Sequence, residues 1–196
     1  MIRAMETTCT SGNKVINWIY VNSTIMTEPT EGRISYEKLD PTRWEQFREL
    51  RLEALKSDSS AFGSEYEEEL NYGKVVWQSR IGGVIFAISN NVPIGMMGQV
   101  YFTRKKEAHV MDIVGFFVKK EFRGMGIGTR LLEETIRAIS ENRNIRKIKL
   151  AVNSPQTVAA SIYRKFGFEV VGTLKEEAFV DGKYLDQTIM EKFIRH

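Results

Sequence analysis

The chain is poor in the residues that staple or metallate small folds. It carries one cysteine, Cys9, two histidines, His109 and His196, and four prolines in 196 residues. One cysteine excludes an intramolecular disulfide framework and fits a reducing compartment, so a cytoplasmic protein is expected. His109 and His196 lie far apart with no cysteine nearby, and no metal site is expected. No apolar run approaches spanning length, so no membrane partner is expected. The first residues lack the apolar core and small-residue cleavage site of a secretory signal. Charge of one sign is also scarce. A net charge of +3 without a concentrated basic face gives no case for nucleic acid. No segment repeats at solenoid spacing.

What is present is ordinary in bulk: 42% hydrophobic and 27% charged residues suit a globular protein, and the length suits one well-cored domain. Residues 1–30 read differently, with Thr, Ser, Asn and Gly flanks of no clear period and a Thr-Glu-Pro-Thr-Glu-Gly run after Met26. An extension outside the core is expected there, with the core domain over 31–196. Cys9 and Trp18 fall in the extension and are expected to take no part in chemistry.

Residues 33–39 alternate as a first strand through Ile34 and Tyr36. Asp40-Pro41 supplies an N-cap and a proline at the first helical position, and Trp44, Phe47, Leu50, Ala54 and Leu55 then recur at helical spacing. A loop follows over 57–64. The acidic run 65–69 has two readings, a solvated helix face or the mouth of a site that attracts a cationic substrate. Residues 74–81 make a short helix with Trp77. Strands over 84–89 and 92–103 join at Asn90-Asn91, and Gly95 and Gly98 predict a bulge or close backbone approach. Residues 108–118 form a third strand. A helix with Leu131, Leu132, Ile136 and Ile139 on one stripe and Glu133 and Arg137 outside comes next, then a strand over 145–152. Pro155 opens a helix with Val158, Ile162 and Phe166 on one face, and Gly167 is its C-cap candidate. A long hairpin turns at Asp181-Gly182.

The stretch from residue 116 to 132 organises this order. An apolar strand ends in a charged turn, glycines stand at 124, 126 and 128, and a helix begins. Glycines let backbone N–H groups converge without Cβ obstruction, and a helix N-terminus adds orphan donors and a positive dipole end. That suits a phosphate, although glycines also serve any tight strand-to-helix connection.

Two motifs carry a resemblance. Arg123-Gly124-Met125-Gly126-Ile127-Gly128 follows Gly115-Phe116-Phe117-Val118, and residues 152–163 precede Phe166-Gly167-Phe168. At this spacing the chain resembles the GNAT superfamily of acyl-CoA N-acyltransferases over roughly 33–193. The resemblance implies an α/β fold: a mixed, mostly antiparallel central sheet of about seven strands flanked by about four helices. It implies acetyl-CoA as the acyl donor and an amine acceptor. It places Phe116, Phe117, Val118, Arg123, Gly124, Met125, Gly126, Ile127, Gly128, Thr129, Asn153, Gln156, Ala159 and Tyr163 at the coenzyme. Many members carry Asn where Gln156 stands. Tyr163 occupies the position of the general acid that protonates the leaving thiolate, and the Val118 N–H that of the oxyanion donor. Asp112 is a candidate base beside His109, Glu107 and a water chain.

Direct acetyl transfer to a primary amine of a small molecule is the expected function. Two alternatives stand beside it: a protein or peptide N-acetyltransferase, and a non-catalytic acyl-CoA sensor. Ala151 stands where ribosomal-protein acetyltransferases carry Glu, which argues against that subgroup. Acceptor contacts are expected from residues 62–72 and 179–186. The closing hairpin offers strands that can pair between subunits, so a homodimer is an open expectation.

Overall fold

The computed structural model of the chain describes residues 34–102, 104–154 and 156–196; the expected extension, with Cys9 and Trp18, lies outside the described residues. Among the described residues five α-helices form: α1 (Trp44–Ser57), α2 (Tyr66–Leu70), α3 (Lys74–Ile81), α4 (Ile127–Ser140) and α5 (Thr157–Lys165). The strands are β1 (Ser35–Glu37), β2 (Val84–Ser89), β3 (Val92–Tyr101), β4 (Val110–Val118), β5 (Lys147–Asn153), β6 (Glu169–Val180) and β7 (Lys183–Phe193). They make one seven-stranded sheet in the order β1-β2-β3-β4-β5-β7-β6. Every pairing is antiparallel except β4 with β5.

Local chemistry sets the boundaries. The Asp40 carboxylate accepts from the Thr42 N–H at 2.8 Å, and Pro41 enters the turn leading into α1. The β2–β3 turn holds Asn90 and Asn91 at φ 49° and 63°, the left-handed pair that a two-residue hairpin requires. Asp181 and Gly182 do the same between β6 and β7, at φ 50° and 77°.

Strand alternation divides the core between the two faces of the sheet. Val84, Phe86 and Ile88 pack with α1 and α3, where Phe47 meets Trp77 and Phe86 edge-on at 5.4 and 5.6 Å. Ile85 and Ala87 pack instead with Ile127 and Leu131 of α4. Leu132, Ile139, Tyr163 and Phe168 close a third cluster over Met111, Ile148 and Met190.

Side-chain partners and burial refine the sequence reading of two helices. Glu133 and Arg137 both lie outside as expected, and Arg137 turns to Glu134 and Glu141, while Glu133 pairs with Arg130 at 2.7 Å. Two nearer guanidinium–carboxylate matches satisfy both groups. In α5, Val158 is 74% exposed and Tyr163 is the buried residue. The helix is rotated so that its Tyr163 side faces the core.

The feature that makes a site is where β4 and β5 part. Their pairing covers only Val110–Asp112 against Lys147–Lys149. Beyond it, β5 stays with β7 and β4 continues with β3. Near Gly115, which sits at φ +65°, β4 carries one residue more than β3, as the pairs Met96–Phe117 and Gly98–Val114 show. This bulge bends β4 away from β5. No helix among the described residues is long and apolar enough to cross a membrane.

Candidate active site

Two cavities open at the parting of the strands. The first, about 580 Å³, lies between β4, the turn before α4, and α5. Phe116, Phe117 and Val118 line it from the strand, and Arg123, Gly124, Gly126, Ile127, Gly128 and Thr129 from the turn. Asn153, Gln156, Ala159 and Tyr163 line it from the other side. Of the expected coenzyme residues only Met125 is not among them, and it is 65% exposed.

The turn needs its glycines for different reasons. Gly124 and Gly126 sit at φ 81° and 78°, where a side chain is strained. At Gly128 it is space: a Cβ would stand 2.7 Å from Phe116 Cζ. Gly126 caps α4 with no side-chain acceptor, so the first amides of this 14-residue helix keep their donors for a ligand.

Backbone geometry also orients Val118. The Lys119 N–H donates to the Ile94 carbonyl at 2.9 Å, which makes Gly95–Val118 a non-hydrogen-bonded pair of the ladder. The Val118 N–H and C=O therefore point away from β3, toward the side β5 has vacated. Arg123 Nε already takes that C=O, at 2.8 Å.

Several polar groups are engaged by the protein itself. The Arg123 guanidinium donates to Asp58 at 2.8 and 3.3 Å, so it braces the loop after α1. Burial works to raise the Asp58 carboxyl. Hydrogen bonds from Arg123 and Ser57, with the charges of Arg123 and Lys120, hold it below the usual range. Asn153 donates to the Ser60 carbonyl at 3.0 Å and accepts from Gln187 at 2.9 Å. The Gln156 amide reaches Ser60 Oγ at 3.5 Å. Tyr163 packs between Phe116 and Phe168, with ring centroids 6.1 and 5.7 Å away. Burial pushes its hydroxyl well above the usual phenol range, so it stays protonated.

The second cavity, about 750 Å³, lies on the far side of the parting. Ala61, Ile113, Val114, Gly115, Ala151 and Asn153 line both, so the two meet there. Phe62, Gly63 and Ser64 contribute from the expected acceptor loop, but residues 179–186 contribute nothing. Gln187, the end of α3 and the end of β3 take that place.

Arg51 and Arg80 also line the second cavity, and both bind one carboxylate, Glu69. Glu69 is thus neither on a solvated face nor at a mouth for cations; it is fully buried. Burial opposes its charge, but the hydrogen bonds and charges of Arg51 and Arg80 prevail and bring it down to about 2.

Asp112 lines neither cavity. It faces Lys149 at 3.9 Å, and burial raises its carboxyl above the usual range against the pull of that lysine. Glu107 and His109 precede β4 and line neither cavity. The sequence reading missed Asp58, Arg51, Arg80 and Gln99. For Arg51 a signal existed: it falls on the apolar stripe of α1 with Phe47, Ala54 and Leu55, where a charge is out of place unless paired.

The family model described as Acetyltransferase (GNAT) family matches residues 42–168. The L-amino acid N-acetyltransferase AaaT of Escherichia coli is 27% identical over 123 residues, 60% of this chain and 75% of that protein. An N-alpha-acetyltransferase of Sulfurisphaera tokodaii is 33% identical over 81 residues, 41% of this chain and 46% of that protein. In fold, the chain is similar to a phosphinothricin acetyltransferase of Sinorhizobium meliloti solved in complex with AcCoA. The TM-score is 0.66 at 19% identity, over 82% of this chain and 88% of that one. With the family matched over more than half of its length, the chain belongs to the acetyltransferase (GNAT) family and is an acetyl-CoA-dependent acyltransferase.

Proposed function

We propose that the chain moves an acetyl group from acetyl-CoA directly to a primary amine of a small molecule. The observation that carries this reading is the meeting of two cavities where β4 and β5 part. One suits the donor and the other an acceptor of limited size. The uncapped N-terminus of α4, with Gly124, Gly126 and Gly128, suits the coenzyme's pyrophosphate. Phe116, Phe117 and Val118 follow its arm, with Gln156 and Ala159 opposite. Bound there, the coenzyme supplies an acetyl thioester at the junction.

Each protein group then has one role. The Val118 N–H, turned from its neighbour strand, donates to the oxygen on which charge develops. The Tyr163 hydroxyl, kept protonated by burial, gives its proton to the departing sulfur. Asp58 is the sole Asp, Glu or His side chain lining either cavity among the described residues, and Arg123 holds it. The amine therefore loses its proton to water. Among the described residues no cysteine or serine lines the first cavity beside Tyr163, which supports transfer without a covalent enzyme intermediate.

The relative named as an L-amino acid N-acetyltransferase supports a small acceptor. The one named as an N-alpha-acetyltransferase supports the peptide alternative. Ala151, at the junction, offers no carboxylate of the ribosomal-protein kind. Thiol release from acetyl-CoA, measured with free amines and with peptide N-termini, separates the readings. Release with free amines is expected. Preference for peptides would replace this reading, and saturable coenzyme binding without acceptor-dependent release would favour a sensor. Residues 1–30 are proposed to lie outside the catalytic domain of 31–196; limited proteolysis that spared them while cutting elsewhere would count against it.

A further inference from the structure

Among the described residues, the second cavity is lined by two guanidinium groups and by no carboxylate. Arg51 and Arg80 share a single counter-charge. Glu69 Oε1 accepts from Arg51 Nη2 at 2.7 Å and Arg80 Nη2 at 3.3 Å, and Oε2 from Arg51 Nε at 3.0 Å and Arg80 Nη1 at 3.2 Å. Two positive charges against one negative leave an excess of one at the cavity wall. Arg51 spends only one edge of its fork on Glu69, and its Nη1 has no hydrogen-bond partner among the described residues. That nitrogen stands 3.6 Å from where a Cβ on Gly115 would sit, at the junction of the two cavities. The guanidinium lies over the Phe62 ring, 4.7 Å from its centroid, which fixes its plane. Also lining this cavity, Gln99 Nε2 is buried with no hydrogen-bond partner among the described residues. A buried donor of this kind calls for an acceptor.

We infer that the acceptor is an amine bearing a carboxylate, held by the open edge of Arg51 with Arg80 and Gln99, and that Arg80 sets this specificity. The inference rests on the reading of this cavity as the acceptor side. A planar carboxylate matches a guanidinium fork, and an excess cationic wall with no acidic side chain rejects polyamines. Because the Arg51 edge lies at the junction, amine and carboxylate must be close together in the acceptor, as in an α-amino acid. The acidic run on α2 does not oppose this, because Glu69 is consumed in holding the arginines and Glu68 accepts from the Tyr72 hydroxyl at 2.8 Å.

The test pairs two measurements on the full chain. Thiol release is followed with L-amino acids, the matching amino amides, the matching decarboxylated amines and spermidine. Calorimetry then measures binding of the same amino acids and amides to the protein with coenzyme A. The free amino acids are expected to exceed their amides by about ten- to hundredfold in kcat/KM, the range of a charge-assisted contact. Arg80→Gln, which leaves the Arg51–Glu69 pair in place, should erase most of that ratio while the decarboxylated amines change little. Equal loss for every acceptor would assign Arg80 a purely structural role and overturn the inference. Amides, plain amines or spermidine preferred over amino acids would also overturn it. No turnover with any acceptor, but tighter binding of amino acids than amides, would sink the transfer reading and leave this one standing. Absence of carboxylate selectivity in both measurements sinks it.

Discussion

A methyl group on Gly128 would stand 2.7 Å from Cζ of Phe116, so the first turn of α4 rests directly on the strand that lines the first cavity. Phe116 packs in turn against Tyr163, and its ring cannot swing away without disturbing α5. Gly128→Ala should therefore move the amides at the start of α4 relative to the Gly124–Gly126 turn. Coenzyme affinity is expected to fall at least about tenfold, with a stability loss of about 1–3 kcal/mol from overpacking. Calorimetric titration with coenzyme A and urea unfolding check the two parts separately.

Tyr163→Phe keeps the ring and its packing and removes only the hydroxyl. Turnover should fall by about 10²–10⁴, the usual contribution of a general acid, with acetyl-CoA affinity near that of the parent. Burial raises the hydroxyl's pKa, so the protonated form persists through neutral and mildly alkaline pH. The wild-type rate should show no alkaline loss from this group below about pH 10. Unchanged turnover in the variant would remove the role.

Glu69 is held between Arg51 and Arg80 with its folded pKa at about 2, below the ordinary value of 4.5. A depressed carboxylate contributes stability that is present above the unfolded pKa and is lost as pH falls through the folded one. Wild-type stability should thus decline between about pH 4.5 and 2. Glu69→Gln should remove that part of the decline and cost about 3–5 kcal/mol at neutral pH, because it leaves Arg51 buried without a counter-charge. Urea midpoints measured from pH 2 to 7 give both answers.

Asp112→Asn should leave the pH–rate profile as it is, since the carboxylate lines neither cavity. Its pKa is raised, chiefly by burial, so stability is greatest below the unfolded pKa and declines as pH rises through the folded one. At neutral pH the asparagine variant should then be at least as stable as the parent. A shifted acidic limb in the rate profile would restore Asp112 as the base.

Much of the fold was legible because its signals are local. Asn90-Asn91 and Asp181-Gly182 specify hairpins by tolerating positive φ, and Asp40-Pro41 specifies a helix start. The first cavity was legible from the glycine turn and α5, since each of those residues lies within a few positions of a recognisable strand or helix end. The second cavity was not legible in this way. Its wall joins α1, α3 and the far end of β3, and no short-range pattern connects Arg51, Arg80 and Gln99.

The sequence by itself determined the strand and helix order, the glycines of the turn and the family, all consequences of backbone preference over short spans. Tertiary structure alone decided where charge goes. Glu69 was one of several glutamates on a short helix until packing buried it between two arginines. Arg123, expected at the coenzyme, is held by Asp58 at 2.8 Å. Asp112 was a candidate base until β4 left it outside both cavities. Burial and partner choice depend on which chain segments meet, and those segments are far apart along the chain.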